Sequence, residues 1–173
     1  MSGRKRLLLL ALVACVLVGC RSSSRHREPG RVYDTNNKFS IVPPEGWVSK
    51  NMLPGCFMLY MGPKEGEFAV NFNVNVVQYG GTPKQALPVV KQTLARSAMG
   101  YRCMDEGFLA IDGRESLFIS SAFDMPAGRL QNLQYQILTG KRGYTITFTA
   151  PQSVFQKYRP IFEKCGLSAR VDD

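Results

Sequence analysis

The chain has 173 residues, 45% of them hydrophobic and 10% aromatic, which suits one packed globular domain and excludes a chain too polar to fold. Lys and Arg number 22 against 13 Asp and Glu, for a formal net charge of +9 at pH 7. Five cysteines are too few and too scattered for a disulfide-rich scaffold.

The first twenty residues have the pattern of an export signal. Arg4, Lys5 and Arg6 form a positive start, and Leu7 to Val18 is an unbroken apolar run. A membrane-spanning helix needs roughly 20 apolar residues, whereas the core of a signal peptide needs only about 7 to 15. The sequence therefore predicts a segment that is removed on export.

The end of this segment, Leu17-Val18-Gly19-Cys20, resembles the lipobox of bacterial lipoproteins. In that family the cysteine thiol receives a diacylglycerol, cleavage occurs before the cysteine, and the new amine is often acylated, for example with palmitate. The resemblance implies that residues 1–19 are a signal peptide and that Cys20 is the lipid attachment residue. Several acyl chains there would anchor the protein firmly in a membrane. The alternatives are an ordinary signal peptide with an accidental cysteine, or an uncleaved anchor.

Residues 20–31 are predicted to be the lipidated cysteine and a flexible tether, because 21–31 contain no apolar side chain and are rich in Ser, Arg, Pro and Gly. Position 21 is Arg rather than Asp. By the sorting rule of enterobacteria-like lipoproteins, we expect the periplasmic face of the outer membrane if the cell is Gram-negative; the inner membrane stays open. The basic excess of an exported chain points to anionic lipid, cell-wall polymers or acidic partners, and not to nucleic acid.

Residues 32–173 are predicted to form one domain that begins with short strands. Phe39 to Val42 predicts a strand, and Pro43-Pro44-Glu45-Gly46 predicts the turn that ends it, because proline cannot donate to a strand ladder. In Val70 to Val76, Val and Phe alternate with Asn. This period of two predicts a strand with one core face and one polar face.

Thr82 to Gly100 carries the signals of a helix. Thr82 is a preferred N-cap, Pro83 a preferred first residue, and Gln85 completes a capping box. The predicted apolar stripe comprises Leu87, Val90, Leu94 and Ala98. Since Pro88 removes an intrahelical hydrogen bond, we expect a kinked first turn or a later start, and an end at Gly100.

Three further strands and a second helix complete the domain. The strands are predicted over Gly113 to Phe123, Leu130 to Thr139 and Tyr144 to Ala150, with hairpin-like loops between them. A helix is predicted from Gln152 to about Cys165 and ended by Gly166. Its predicted apolar face comprises Val154, Tyr158, Ile161, Phe162 and Cys165. This order favours an α+β fold with a one-sided antiparallel sheet.

Five stretches together resemble the PsbP-like family. They are Phe39-Ser-Ile-Val-Pro-Pro-Glu-Gly-Trp47, Phe72-Asn-Val-Asn-Val-Val77, Leu133-Gln-Tyr-Gln-Ile-Leu138, Tyr144-Thr-Ile-Thr-Phe-Thr149 and Phe155-Gln-Lys-Tyr-Arg-Pro-Ile-Phe-Glu-Lys164. The resemblance implies a central antiparallel β-sheet with flanking helices, a PsbP-like α/β/α sandwich. Photosystem II extrinsic proteins and a Ran-binding import factor family share this fold and bind other proteins. It carries no catalytic motif to this chain.

Few side chains suggest chemistry. His26, the only histidine, lies in the predicted tether, where nothing rigid orients it as a base or a ligand. Cys56, Cys103 and Cys165 lie too far apart for a zinc motif and are interpreted as buried small side chains; one disulfide, in any of three pairings, stays open. The neighbours Asp105-Glu106 are expected to point to opposite faces of a strand. We therefore predict no catalytic residue, no cofactor and no metal site.

The candidates for partner binding are neutral polar side chains that the strand pattern places on one face of the sheet. They are Asn71, Asn73, Asn75, Gln134, Gln136, Thr145 and Thr147. Their amides and hydroxyls can dock a protein or a glycan, although a solvated or helix-covered face has the same pattern.

Together these features predict a non-catalytic envelope lipoprotein, held to a membrane by lipid on Cys20, that serves as a binding or accessory module for another envelope component, expected to be a protein. Two alternatives stay open. One is a small-ligand carrier with an apolar pocket between sheet and helix. The other is a thiol-based redox factor that uses one of the three domain cysteines, which requires an exposed thiol of low pKa.

Overall fold

The computed structural model describes residues 28–51, 54–126 and 128–172. The strands found there are β1 (Val32–Asp34), β2 (Phe39–Ile41), β3 (Val48–Ser49), β4 (Met58–Glu65), β5 (Phe68–Gln78), β6 (Arg102–Ile111), β7 (Arg114–Met125), β8 (Gly128–Leu138), β9 (Arg142–Pro151) and β10 (Arg170–Val171). The helices are α1 (Pro83–Ser97) and α2 (Phe155–Leu167), and a 3₁₀ turn, Gln152–Val154, precedes α2.

Seven strands form one antiparallel sheet in the order β3-β4-β5-β9-β8-β7-β6, while β1, β2 and β10 form a small second sheet. Strands β6 to β9 follow one another as a meander, and β9 then pairs with β5. Helix α1 packs on β6, β7 and β8, whereas α2 packs on β8 and β9. This arrangement confirms the predicted α+β fold, a central antiparallel sheet with flanking helices.

The period of two in β5 and β9 gives the large sheet two different faces. Val70, Phe72 and Val74 of β5 are buried together with Ile146 and Phe148 of β9. The Asn side chains of β5 and the Thr side chains of β9 point to the opposite side. We call the first side the α2 face and the second side the α1 face.

The main core lies between the α2 face and helix α2 and consists largely of aromatic rings. Phe148 stacks on Phe162 of α2, with 5.1 Å between the ring centroids. Phe72 stacks on Tyr60 of β4 at 5.1 Å. Trp47 lies against Phe72 and Phe162 at 6.1 and 6.3 Å. The rings of Trp47 and Phe148 that contact Phe162 hold α2 on the sheet. Each buried aromatic side chain removes roughly 150 to 250 Å² of surface from water.

Helix α1 begins where its cap predicts. Thr82 Oγ1 accepts from the Gln85 backbone N–H at 3.3 Å, and Gln85 Oε1 accepts from the Thr82 backbone N–H at 2.9 Å. The expectation of a later start is wrong, because the helix begins at Pro83 and continues through Pro88, although Pro88 has no N–H to donate to the Lys84 carbonyl. Ala98 is the C-cap rather than part of the stripe.

The α1 face is not wholly polar, so the prediction of a one-sided sheet needs correction. Leu117 and Ile119 of β7 are fully buried on it beneath Ala86 of α1. Partly buried side chains complete this small cluster: Tyr79, Leu87, Val90, Leu94 and Leu138. Helix α1 therefore covers the β7 side of the face with a second, smaller core.

Helix α2 differs from its prediction at both ends and on its surface. It begins at Phe155, which is buried, and it ends at Leu167 rather than before Gly166. Gly166 lies inside the helix and is buried against the sheet. Ile161, predicted in the apolar face, is instead 39% exposed.

The sequence does not predict β4, and of β6 it predicts only that Asp105 and Glu106 stand on a strand. Strand β6 is at the edge of the sheet, so its first residues are exposed and show no alternation between apolar and polar side chains. In β4 the register shifts between Met61 and Lys64, a stretch that includes Pro63. A bulge and a proline both interrupt the pattern by which a strand is recognised.

The packed domain begins before the predicted boundary at residue 32. Arg31 is buried, and its guanidinium donates to Glu28 Oε2 at 2.9 Å and to the Ser168 carbonyl at 2.8 Å. Arg31 therefore packs on the domain, although it falls within the predicted tether, whereas residues 28–30 are exposed. The predicted signal peptide, Cys20 and the rest of the tether lie outside the described residues. None of the described helices is long and apolar enough to cross a bilayer.

Candidate functional site

The seven predicted binding residues come together on the α1 face. In the register of β5, β9 and β8, Asn73 stands beside Thr147, and Thr147 beside Gln134. The next row is formed by Asn75, Thr145 and Gln136, and the row on the other side by Asn71, Thr149 and Asn132. We call these nine side chains the polar array. Adjacent strands are about 4.8 Å apart, and successive rows about 7 Å apart.

Sequence reasoning missed two members of the array, Thr149 and Asn132. Both continue the period of two within their strands, so this pattern could have identified them. The pattern does not show that β5 pairs with β9, and this pairing decides which residues of the two strands stand side by side.

The array divides into side chains bonded within the protein and side chains that are not. Asn71 Nδ2 donates to the Ala69 carbonyl at 2.9 Å, and Asn132 Oδ1 accepts from Ser121 Oγ at 2.7 Å. Asn75, with its amide oriented to satisfy its neighbours, donates to the Gly55 carbonyl at 3.0 Å.

The remaining six members of the array make no side-chain hydrogen bond to any described residue; they are Asn73, Gln134, Gln136, Thr145, Thr147 and Thr149. Gln134 is buried, at 9% exposure, and the other five are half-buried. An amide or hydroxyl so placed offers donors and acceptors to a partner without first breaking an internal bond.

The array is bordered by apolar residues on two sides. Gln136 and Gln134 pair with Leu117 and Ile119 of β7, which α1 covers. On the other side, Asn73 pairs with Leu59 of β4, which is half-buried. The result is an uncharged polar strip about three strands wide, with helix α1 along one edge.

The three domain cysteines are free, so the disulfide that the sequence left open does not form. Cys165 is buried, as predicted, and burial raises the pKa of its thiol to about 12. Cys56 is half-buried, with Sγ 3.4 Å from the Met58 carbonyl. Cys103 is exposed, because it lies on the edge strand β6, and its interpretation as a buried side chain is wrong.

Cys103 is exposed, yet its surroundings do not activate the thiol. Loss of hydration around Sγ raises its pKa, and so does the Glu106 carboxylate, whose Oε2 lies 3.1 Å from Sγ. Lys91 of α1 lowers that pKa less, because its Nζ is bonded to the same carboxylate. A reactive cysteine needs a depressed pKa. Neither Cys103 nor Cys165 therefore provides the exposed thiol of low pKa that the redox alternative requires.

Asp105 and Glu106 point to opposite faces of β6, as expected for neighbours on a strand. Arg159 of α2 donates to Asp105 at 3.1 Å, whereas Lys91 of α1 donates to Glu106 at 2.8 Å. The pair therefore tethers one helix on each side of the sheet and does not form an acid–base pair. In the part of the chain that the structure describes, no three His, Cys, Asp or Glu side chains form a group able to hold a metal ion.

The space between the sheet and α2 gives no room for the predicted ligand pocket. Phe72, Phe148, Phe155 and Phe162 are each at most 1% exposed there and contact one another in pairs. A core filled by rings in this way has no cavity for a small ligand. The small-ligand carrier alternative is therefore wrong in placing an apolar pocket between the sheet and α2.

No protein-family model and no curated protein matches this chain, so the comparison rests on solved structures. The solution structure of cyanobacterial PsbP (CyanoP) from Synechocystis sp. PCC 6803 has a TM-score of 0.63 at 13% identity, covering 82% of this chain and 91% of that one. LpqN, involved in cell envelope biogenesis of Mycobacterium tuberculosis, has a TM-score of 0.60 at 11% identity, covering 86% and 88%.

The Ran-binding protein Mog1p of Saccharomyces cerevisiae has a TM-score of 0.54 at 11% identity, covering 83% of this chain and 95% of that one. At such identities the likeness shows the fold and nothing finer. The fold of this chain is PsbP-like.

Proposed function

We propose that this chain is a lipid-anchored, non-catalytic binding module of the cell envelope, whose polar array docks another envelope component. The observation that carries the proposal is the set of six array side chains that make no hydrogen bond to any described residue. None of the array atoms is among the buried polar atoms that lack a partner, so water can bond to them. A partner that presents matching donors and acceptors to this aligned group can replace that water.

The anchor half of the proposal rests on Leu17-Val18-Gly19-Cys20. Lipid on Cys20 would keep the domain beside a membrane, at the periplasmic face of the outer membrane in a Gram-negative cell. The likeness to LpqN, a protein of envelope biogenesis, supports an envelope location. Binding to a membrane-bound partner then gains from a high local concentration, so that a modest docking surface is enough.

The anchor is tested by metabolic labelling with a palmitate analogue in the wild type and in Cys20→Ala. We expect label on the wild type only, together with retention of the uncleaved precursor in the variant, because the thiol is the acceptor of the diacylglycerol. Circular dichroism should show that the domain folds in the wild type and in the variant. A soluble, unlipidated mature form of the wild type would contradict the anchor.

Docking by the array is tested by photo-crosslinking in intact cells. A photoreactive amino acid replaces Gln136 in one variant and Gln156, an exposed residue on α2, in a matched control. We expect one envelope protein, identified by mass spectrometry, to crosslink at position 136 and not at 156. That product should weaken when Gln134→Ala is added, since this removes a neighbouring amide.

Crosslinking at both positions, or at neither when both variants are expressed and lipidated, would contradict docking by the array. Both outcomes leave the lipid anchor untouched, because palmitate labelling measures it separately.

A further inference from the structure

A second surface feature lies away from the polar array, between one flank of α2 and the turn after β2. It is an open groove of about 620 Å³, a volume within the range of small-molecule sites. Val42, Pro43, Pro44 and Trp47 line one wall, and Ile161 and Cys165 of α2 line the other. Unlike the space between the sheet and α2, this groove is not filled by the core.

The apolar character of the groove is built from the backbone as well as the side chains. Pro43 and Pro44 have no backbone N–H, while the N–H of Val42 is bonded to Ser168 Oγ at 2.9 Å and that of Trp47 to the Pro44 carbonyl at 3.2 Å. These four residues of the wall therefore offer an occupant no free backbone N–H. An apolar occupant loses nothing there, whereas a polar one would leave its acceptors unbonded.

The floor of the groove is likewise uncharged and bonded. Ser168 Oγ donates to the Cys165 carbonyl at 2.6 Å, in addition to accepting from Val42. The Cys165 thiol is buried and stays protonated at neutral pH, since burial raises its pKa to about 12. The occupant that this interior fits is a hydrocarbon chain.

Trp47 is held in one position at the groove. Its ring lies against Phe72 and Phe162 of the core. Gly62 of β4 lies beneath the indole, where a Cβ would come within 2.7 Å of Cζ2. Trp47 thus forms a rigid wall between the core and the groove, and across the groove Ile161 leaves 39% of its surface exposed.

Three charged residues line the groove, Glu28, Glu45 and Lys164, and all three are exposed and so lie at its rim. Glu28 is paired with Arg31 at 2.9 Å and with Arg170 at 3.1 Å. Lys164 makes no ion pair with any described residue, so its ammonium is available to a phosphate. A rim cation beside an apolar trough matches a molecule with a charged head and an alkyl tail.

The position of the groove indicates where that molecule comes from. Glu28 and Gly30 line one end of it, and Glu28 is eight residues after Cys20. Eight residues span at most about 28 Å, so a lipid-anchored chain keeps the groove within that distance of its anchor point. We infer that the groove binds one acyl chain of a membrane phospholipid, with the phosphate at Lys164. That the lipid comes from the membrane rests on the proposed anchor at Cys20, whereas its alkyl chain and phosphate are inferred from the groove itself.

The test uses Trp47, the only tryptophan of the chain, as the reporter. Full-length Cys20→Ala protein, which cannot carry its own lipid, is titrated with a single-chain lysophospholipid that has bromine on its alkyl chain, below the critical micelle concentration. We expect saturable quenching of Trp47 fluorescence. Adding Ile161→Glu should weaken binding about ten-fold or more, because it places a charge in the apolar trough.

The matched control is Leu167→Glu, at a position of the same helix that is 50% exposed and lies outside the groove. It should bind as the parent does, and Lys164→Gln should weaken binding of the lysophospholipid but not of a brominated fatty alcohol. Absence of quenching in a folded parent, or equal loss in the two Glu variants, would overturn the inference.

A final arm distinguishes the source of the chain. The lipidated wild type is placed in nanodiscs of brominated phospholipid, with Ile161→Glu and Leu167→Glu in the same background. A membrane lipid is supported if Trp47 fluorescence is quenched in the wild type and in Leu167→Glu but not in Ile161→Glu. If lipidated protein shows none while the Cys20→Ala chain binds, the groove holds the anchor of the protein itself and the inferred source is wrong.

Discussion

Gly166 shows how a residue that normally ends a helix can instead serve helix packing. It lies inside α2, and its missing side chain lets the helix approach the sheet closely. A Cβ at this position would be 2.5 Å from Cδ2 of Tyr135 and 3.3 Å from Phe148. Both rings belong to the core, so they have no free space into which to move. Glycine is therefore required here so that α2 can pack closely on the sheet, and not to end the helix.

Gly166→Ala should accordingly destabilise the domain. Alanine gains up to about 1 kcal/mol in a helix interior over glycine, but overpacking of a filled core costs about 1 to 3 kcal/mol. We expect the free energy of unfolding in urea to fall by about 1 to 2 kcal/mol. Gly80→Ala is the control, because a Cβ there meets only the Gly140 carbonyl at 3.7 Å. A more stable Gly166→Ala variant would show that propensity outweighs packing.

At the scale of the elements, α1 is held by its ends and by one narrow stripe. Its buried residues are Pro83 and Ala86, and the larger apolar side chains of the stripe are only half-buried. The capping box therefore matters more than it would for a deeply buried helix, since little burial is available to replace it. The position of α1 in turn decides how much of the α1 face remains for the polar array.

The same substitution at two threonines of this region should have opposite signs. Thr82→Ala removes the N-cap acceptor and should lower the free energy of unfolding by about 1 kcal/mol. Thr93→Ala replaces an exposed interior residue that bonds only to the Val89 carbonyl, and should raise it by about 0.5 kcal/mol through helix propensity. Urea unfolding followed by circular dichroism measures both. Equal effects at the two sites would contradict the role of the cap.

For the whole molecule, Arg31 joins parts of the chain that are far apart in sequence. Its side chain is 2% exposed and reaches Glu28, Ser40 of β2 and the carbonyl of Ser168 beyond α2. The guanidinium thereby secures the small second sheet and the end of α2 to the first described residues. A charge buried at such a junction is stabilising only while its partners remain in place.

Arg31→Met should destabilise the domain by about 2 kcal/mol or more, since the half-buried Ser168 carbonyl then loses a charge-assisted hydrogen bond. Arg170→Met is the matched control, because Arg170 pairs with the same Glu28 at 3.1 Å but is 55% exposed. We expect less than about 1 kcal/mol from that surface pair. Thermal and urea unfolding of both variants provide the comparison. An equal loss in the two would mean that the Glu28 pair, and not the buried junction, carries the stability.

Features that depend on near neighbours in sequence were determined by the sequence alone. The alternation in β5 and β9 and the cap at Thr82 are local, because side-chain direction and capping depend on residues a few positions apart. The order of these elements was enough to indicate a PsbP-like fold. The export signal and Cys20 are likewise read from sequence, and they stay a prediction.

Only the tertiary structure decided which residues become neighbours and which remain exposed. Pairing of β9 with β5 aligned the rows of the polar array, and an edge position exposed Cys103. The groove exists because the turn after β2 stands beside α2, more than a hundred residues later in the chain. Such long-range pairings depend on the packing of the whole core, which no local pattern contains.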